Sequence, residues 1–178
     1  LKSVLRFQIF DNVWWQNDPD VSYIATELPS RALGCVRGGT DSEAPHEGMW
    51  RTWHAINCLV GGTAMISEPL QTEDTKAAWR GFEIMRPASA EPARLYSLGT
   101  SAGNAIFGFS AQRPYGDFAV FNLYNSSKGQ QAINLNFASV GVPPNVECAV
   151  FDFWENKVVA RAKESFTTQP LEYLSSAL

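Results

Sequence analysis

Asp18 and Asp20 stand two residues apart in VWWQNDPDVSYI, the stretch Val13 to Ile24, with Pro19 between them. A run that starts with Val13, Trp14 and Trp15 reads as a short buried strand, yet it ends in an amide and two carboxyl groups. Burial gives no reason for acid at that place. Carboxylates at a strand end do one of two things: they face a ligand, or they accept hydrogen bonds from nearby backbone N–H groups in a turn. Pro19 lacks a donor and stops the ladder there. A second acid, Glu68, follows another short apolar run, Ala64 to Ile66, again beside a proline, Pro69. His46, Arg51 and His54 lie between these two sites. Neither histidine has a partner at metal-ligand spacing, so both read as packing residues. Cys35, Cys58 and Cys148 are too scattered for a metal set or a disulfide framework.

Composition narrows the partners. The chain has 178 residues, 45% of them hydrophobic and 18% charged, which suits a packed core. The formal charge is -4, and no Lys/Arg cluster is present to neutralise phosphates, so no nucleic acid is expected. No apolar run has the length of a membrane span, and no membrane partner is expected. The sequence begins at Leu1 with no signal peptide. A cut is expected there, either a fragment or a processed product.

The elements that must hold these residues change character along the chain. Residues 4–10 are strand or helix tail, and Val13 to Trp15 a strand. Trp14 and Trp15 would then point to opposite faces. Residues 25–46 form a long loop rich in Gly and Pro, a length that in compact domains often serves function. From His46 the apolar period becomes helical, with Met49, Trp50, Trp53, Ile56 or Asn57, and Val60 on one stripe. Gly61 and Gly62 end that helix. Ala64 to Ile66 returns to strand. The order strand, helix, strand, with acids at strand ends, matches β/α units, whose active groups gather at the C-terminal ends of strands. Residues 71–85 form a second candidate helix, and Arg86 to Arg94 a Pro/Ala linker. Beyond it the period drops to two. NAIFGFSA, GDFAVFNLYN, QQAINLNF, ECAVFDFW and KVVARA read as strands, separated by RPYGD, NSSKG, VGVPPN and WENK. Antiparallel strands with short turns imply a small sandwich. The tail, ESFTTQPLEYLSSAL, is ambiguous.

WWQNDPDV, MWRTWHAINCLVGGTAMISEPL, DFAVFNLYN and VFDFWENK, in this order, resemble blocks of the α-galactosidase or melibiase group of glycoside hydrolases, in the clan that includes raffinose-synthase-like enzymes. The likeness runs over most of Val13 to Lys157. It implies an α/β part followed by an all-β part: the C-terminal portion of a (β/α)8 barrel in residues 1–86, then an antiparallel β-sandwich in 87–178. The tail is short for the group, so the sandwich is expected to be truncated and to lack a closing strand. The resemblance also implies a retaining hydrolase that cleaves terminal α-linked galactose, with no cofactor and no metal. Its nucleophile and general acid/base would lie before Leu1, on the upstream half of the same barrel, and any signal peptide would lie there too. No catalytic residue is therefore expected in this chain. The expected substrate-binding residues are Asp20, Asp18, Val21, Trp15 and Glu68. Asp20 leads, because a carboxylate can accept hydrogen bonds from two sugar hydroxyls. Glu68 stands where relatives usually have Asp. The expected partner is an α-galactoside or related oligosaccharide. Two other readings stand beside this one: a glycan-binding module and an inactive remnant. Exposed aromatic pairs on the sandwich favour the module, whereas burial of Phe153 and Trp154 favours a supporting domain.

Overall fold

In the computed structural model, residues 10, 14, 21–22, 47–60, 65–66, 93–97 and 104–178 are described. They give, in chain order, β1 (Val21–Ser22), α1 (Glu47–Leu59), β2 (Met65–Ile66), β3 (Arg94–Leu95), β4 (Asn104–Arg113) and β5 (Gly116–Asn125). There follow β6 (Asn134–Asn136), a 3-10 turn (Ala138–Val140), β7 (Cys148–Asp152), β8 (Lys157–Ala162), β9 (Ser165–Thr167) and β10 (Ser176–Ala177).

β1 and β2 pair in parallel, Val21 opposite Met65 and Ser22 opposite Ile66. Parallel neighbours need a long crossover, and α1 lies on it in sequence. The expected strand–helix–strand order is thus present, with one change. The N–H of Trp14 donates to the carbonyl of Phe10 at 3.1 Å, an i to i-4 bond of helical type, so Trp14 sits in a turn and not in a strand. Its ring stacks on Phe10 at 4.9 Å between centroids, the contact that four-residue spacing provides on a helical turn. Trp14 is 73% exposed, so it does not alternate into a core as expected. The described strand of this stretch, β1, follows Pro19. The barrel expected for residues 1–86 is described only as this parallel pair and its helix. The expected helix at 71–85 and the loop at 25–46 lie outside the described residues.

The second part is a sandwich of antiparallel strands, as read from the period-two pattern. One layer is a four-stranded sheet in the order β10-β5-β4-β3. β4 and β5 pair over their full length, from Asn104 opposite Asn125 to Arg113 opposite Gly116. Pro114 and Tyr115 form the two-residue connection, and Gly116 at φ 136° takes a backbone geometry that side chains resist. The second layer consists of two ribbons, β6 with β9 and β7 with β8. QQAINLNF is extended only over Asn134–Asn136, because Gln131 makes a separate two-way bridge to Leu171 (2.9 and 2.8 Å). The ambiguous tail supplies β9 and β10, and β10 pairs with β5. Hydrogen bonding to β5 decides what the tail's mixed pattern left open.

Two cores lie on opposite faces of the four-stranded sheet. On one face Phe107, Phe109, Ala111 and Tyr124 pack with Ile56 and Leu59 of α1 and with Val60 just after it. On the other, Leu123 packs with Ile133, Leu135, Phe137 and Val140. Alternation along β5 makes this division, because Leu123 and Tyr124 must point opposite ways. Each large side chain buried here stabilises the fold by about 1.5–3 kcal/mol relative to exposure. Gly108 sits opposite Phe121, and a Cβ at 108 would collide with the Val120 carbonyl and the Phe121 ring. That ring instead meets the edge of Tyr96, at 5.6 Å.

Candidate functional site

α1 is the element that bridges the two parts. A surface helix buries one stripe. Here Thr52, His54, Ala55, Ile56, Asn57, Leu59 and Val60 are all buried, and these positions run around nearly the whole circumference. The single stripe read from the sequence therefore widens. Ile56 and Leu59 face the sheet, and the helix also touches β1. His54, read as a packing residue, is 0% exposed within the helix.

Three sets of contacts tie α1 to the sandwich. The Thr52 hydroxyl lies 2.8 Å from Gly48 O, 3.0 Å from Leu174 O and 3.0 Å from Ser176 Oγ. Its one hydrogen serves the carbonyls, and Ser176 can donate to its oxygen. After the helix, the N–H of Ala93 donates to the carbonyl of Leu59 at 2.8 Å. At the β7–β8 turn, Arg51 Nη1 reaches Glu155 Oε1 at 3.3 Å, and its guanidinium lies over the Trp154 ring at 5.7 Å. By sequence Arg51 lies between the acids of Asp18/Asp20 and Glu68. The acid it meets belongs to the WENK turn, 104 residues away, which a linear reading cannot bring together.

That turn is well built. Asp152 Oδ1 accepts from the N–H of Glu155 at 2.9 Å, an Asp closing a turn on a backbone donor three residues on. Asn156 takes φ 53°, a left-handed geometry that Asn tolerates. Phe153 and Trp154 meet edge to face at 5.1 Å and pack against the core beneath α1. Half-buried and docked on the helix, they fit a supporting role.

Burial also sets the chemistry of two groups here. Removal from water pushes the Cys58 thiol up to about 12, so it stays protonated. Burial first, and the neighbouring Tyr173 second, push the Tyr124 phenol up as well. Neither is a nucleophile at neutral pH. No three His, Cys, Asp or Glu side chains converge on a metal position among the described residues.

Of the expected substrate-binding residues, Val21 is placed through its backbone in β1, hydrogen-bonded in register with β2. Asp18, Asp20, Trp15 and Glu68 lie outside the described residues. The residues that the sequence did not single out are Thr52, Ser176 and Glu155 of the bridge, and Asn125 within the sandwich. Asn125 is fully buried, and its Nδ2 donates to the carbonyls of Gly129, Leu171 and Glu172 at 2.8–3.1 Å. Its Oδ1 accepts from the N–H and hydroxyl of Ser127 at 3.0 and 2.6 Å. The signal for it was an Asn at the end of an apolar strand, just before a turn.

Solved structures share this fold. A GH27 β-L-arabinopyranosidase from Geobacillus stearothermophilus matches 99% of this chain with a TM-score of 0.69 at 14% identity. A variant of that enzyme in complex with arabinose matches 99% of the chain at 0.70. α-Galactosidase I from Mortierella vinacea matches 75% of the chain at 0.59, again at 14% identity. The resemblance read from the sequence blocks is therefore met by a shared fold. The chain spans only 39% of the arabinopyranosidase and 35% of the α-galactosidase. No family model matches the sequence, and no curated protein matches it.

Proposed function

We propose that this chain is the C-terminal portion of a retaining O-glycoside hydrolase of α-galactosidase type that removes terminal α-linked galactose. What carries the reading is the match of nearly the whole chain to a GH27 glycosidase fold, where a parallel strand pair around α1 precedes a sandwich. In this reading 1–86 belongs to the barrel and 87–178 to the sandwich. The upstream half of the same barrel supplies a nucleophile and a general acid/base about 5 Å apart. The nucleophile attacks the anomeric carbon as the acid protonates the leaving oxygen, and water then releases the sugar from the glycosyl-enzyme. Transfer to another sugar hydroxyl uses the same intermediate.

The present chain holds the sugar. Asp20 accepts hydrogen bonds from ring hydroxyls, with Asp18, Val21, Trp15 and Glu68 around it, so that binding energy appears in the transition state. The docking of Phe153 and Trp154 under α1 favours a supporting sandwich over a separate glycan-binding module. β-L-Arabinopyranose has the ring configuration of α-D-galactose without the hydroxymethyl group, so both sugars fit the proposed pocket.

The test is the parent protein, this chain with its native upstream sequence, assayed on aryl α-galactopyranoside and aryl β-L-arabinopyranoside. Hydrolysis with retained configuration is expected, with about a 10- to 100-fold loss of kcat/KM in Asp20→Asn at unchanged folding. A parent inactive on both sugars, or an Asp20→Asn variant with unaltered kinetics, would overturn the proposal.

A further inference from the structure

α1 is buried on opposite sides. Thr52, Ile56 and Leu59 share one stripe by their four- and three-residue spacing, and Ile56 and Leu59 lie in the core that α1 shares with the four-stranded sheet. His54 and Asn57 are buried too, and they fall on the far side of the helix, since each residue turns it by about 100°. The helix meets β10 as well as β1. It stands between the strand that carries Val21 and the edge strand of the four-stranded sheet. Its directional links to the sandwich differ in burial. The side chains of Arg51 and Glu155 are 27% and 48% exposed, so water can replace that pair. Thr52 is 1% exposed, and its hydroxyl lies 3.0 Å from both the Leu174 carbonyl and Ser176 Oγ. Leu174 holds φ 63°, a left-handed geometry that leucine rarely takes. Its N–H donates to the Asn125 carbonyl at 2.8 Å, while its carbonyl meets Thr52. The turn is thus held against its own preference, with a carbonyl aimed at one buried hydroxyl of α1.

We propose, on the glycosidase reading above, that Thr52 is a positioning residue for the sugar site. Its hydroxyl sets how α1 sits on the sandwich, and α1 in turn sets β1, where Val21 is one of the residues around the sugar. Apolar contacts are non-directional, so packing alone tolerates small rotations of a helix. A buried hydroxyl that must meet a carbonyl and a second hydroxyl does not. Thr52→Val keeps the branched shape but sets a methyl against the Leu174 carbonyl and the Ser176 hydroxyl, an unfavourable place for buried polar groups. α1 then shifts as those groups find other partners, and β1 moves with it. Val21 meets the sugar less closely, in the ground state as well as in the transition state, so KM rises. Thr52→Ser keeps the hydroxyl and with it the KM.

The test uses the parent protein, this chain with its native upstream sequence, and compares Thr52→Val with Thr52→Ser and with Ile133→Val. Ile133 lies in the other core, across the sheet from α1, so losing one carbon there destabilises mildly without touching the helix. KM does not depend on how much of the enzyme is folded. On aryl α-galactopyranoside it should rise about 3- to 10-fold in Thr52→Val and keep the parent value in the other two variants. Hydrogen exchange gives a second readout that needs no turnover. At a temperature where every variant is folded, the β1 amides should exchange faster in Thr52→Val alone. Three results would overturn the proposal: the parent's KM in Thr52→Val, an equal rise in Ile133→Val, or a KM in Thr52→Ser raised as far as in Thr52→Val. If the parent turns over neither sugar, the glycosidase reading falls by itself. Unchanged β1 exchange in Thr52→Val would then remove the coupling as well, whereas faster exchange would uphold Thr52 as the residue that positions β1.

Discussion

The two faces of the four-stranded sheet bury apolar side chains alike but treat polar ones differently. Toward α1, Asn122 is fully buried, and neither atom of its amide has a hydrogen-bond partner. Three residues on, at the strand end, Asn125 is equally buried and every polar atom is used; even its backbone bonds Ser175 and Leu174, at 2.9 and 2.8 Å. A buried amide left unmet costs stability, whereas one that is met specifies a single arrangement. The strand-end side of the sandwich is therefore fixed by directional bonds. The α1 face is held mainly by packing, with directional contacts at its margins.

The largest effects should come from removing what each side depends on. Ile56→Ala should cost about 2–5 kcal/mol in denaturant unfolding, and it should destabilise the sandwich strands too, because α1 shares their core. Hydrogen exchange confined to α1 would break that claim. Asn125→Ala should cost about 3 kcal/mol, since three carbonyls lose their donor, and proteolysis near Leu171 should quicken. Asn122→Leu tests the other side of the contrast. It should leave stability unchanged or raise it by about 1 kcal/mol, and a marked loss would mean that this amide is satisfied after all. Glu155→Gln removes a partly exposed ion pair, worth about 0.5 kcal/mol at low salt and less at high salt, as a double-mutant cycle with Arg51 would measure. At neutral pH Cys58 contributes nothing through ionisation. Its folded value lies above the ordinary 9.0, so the unfolded chain ionises first as pH rises. Stability present below pH 9.0 is then lost toward about 12, and alkylation of Cys58 at pH 9 should require unfolding.

The sandwich was legible because alternation in AVFNLYN and AVFDFW states both strand and face, and RPYGD and WENK state the turns. α1 was legible from its period and from Gly61–Gly62. What failed had a common cause. The strand placed at Val13 to Trp15 gave way to a helical turn at Trp14, since an apolar run of three fits either. Arg51 met Glu155, and Thr52 met Ser176, across more than a hundred residues, and local pattern carries no information on such pairs. The tail looked indeterminate because β9 and β10 are only three and two residues long, too short for a period.

Gly108 carries a consequence for the variation this protein can accept. The central strands close on each other so tightly there that a single carbon would strike both backbone and ring. In a saturation library, that codon should be the least forgiving in the sandwich. Hydrophobic neighbours such as Ile106 can trade among similar shapes, but position 108 has no synonym other than glycine itself. Trimming Phe121 would not rescue alanine there, because the Val120 carbonyl that a Cβ would strike belongs to the backbone.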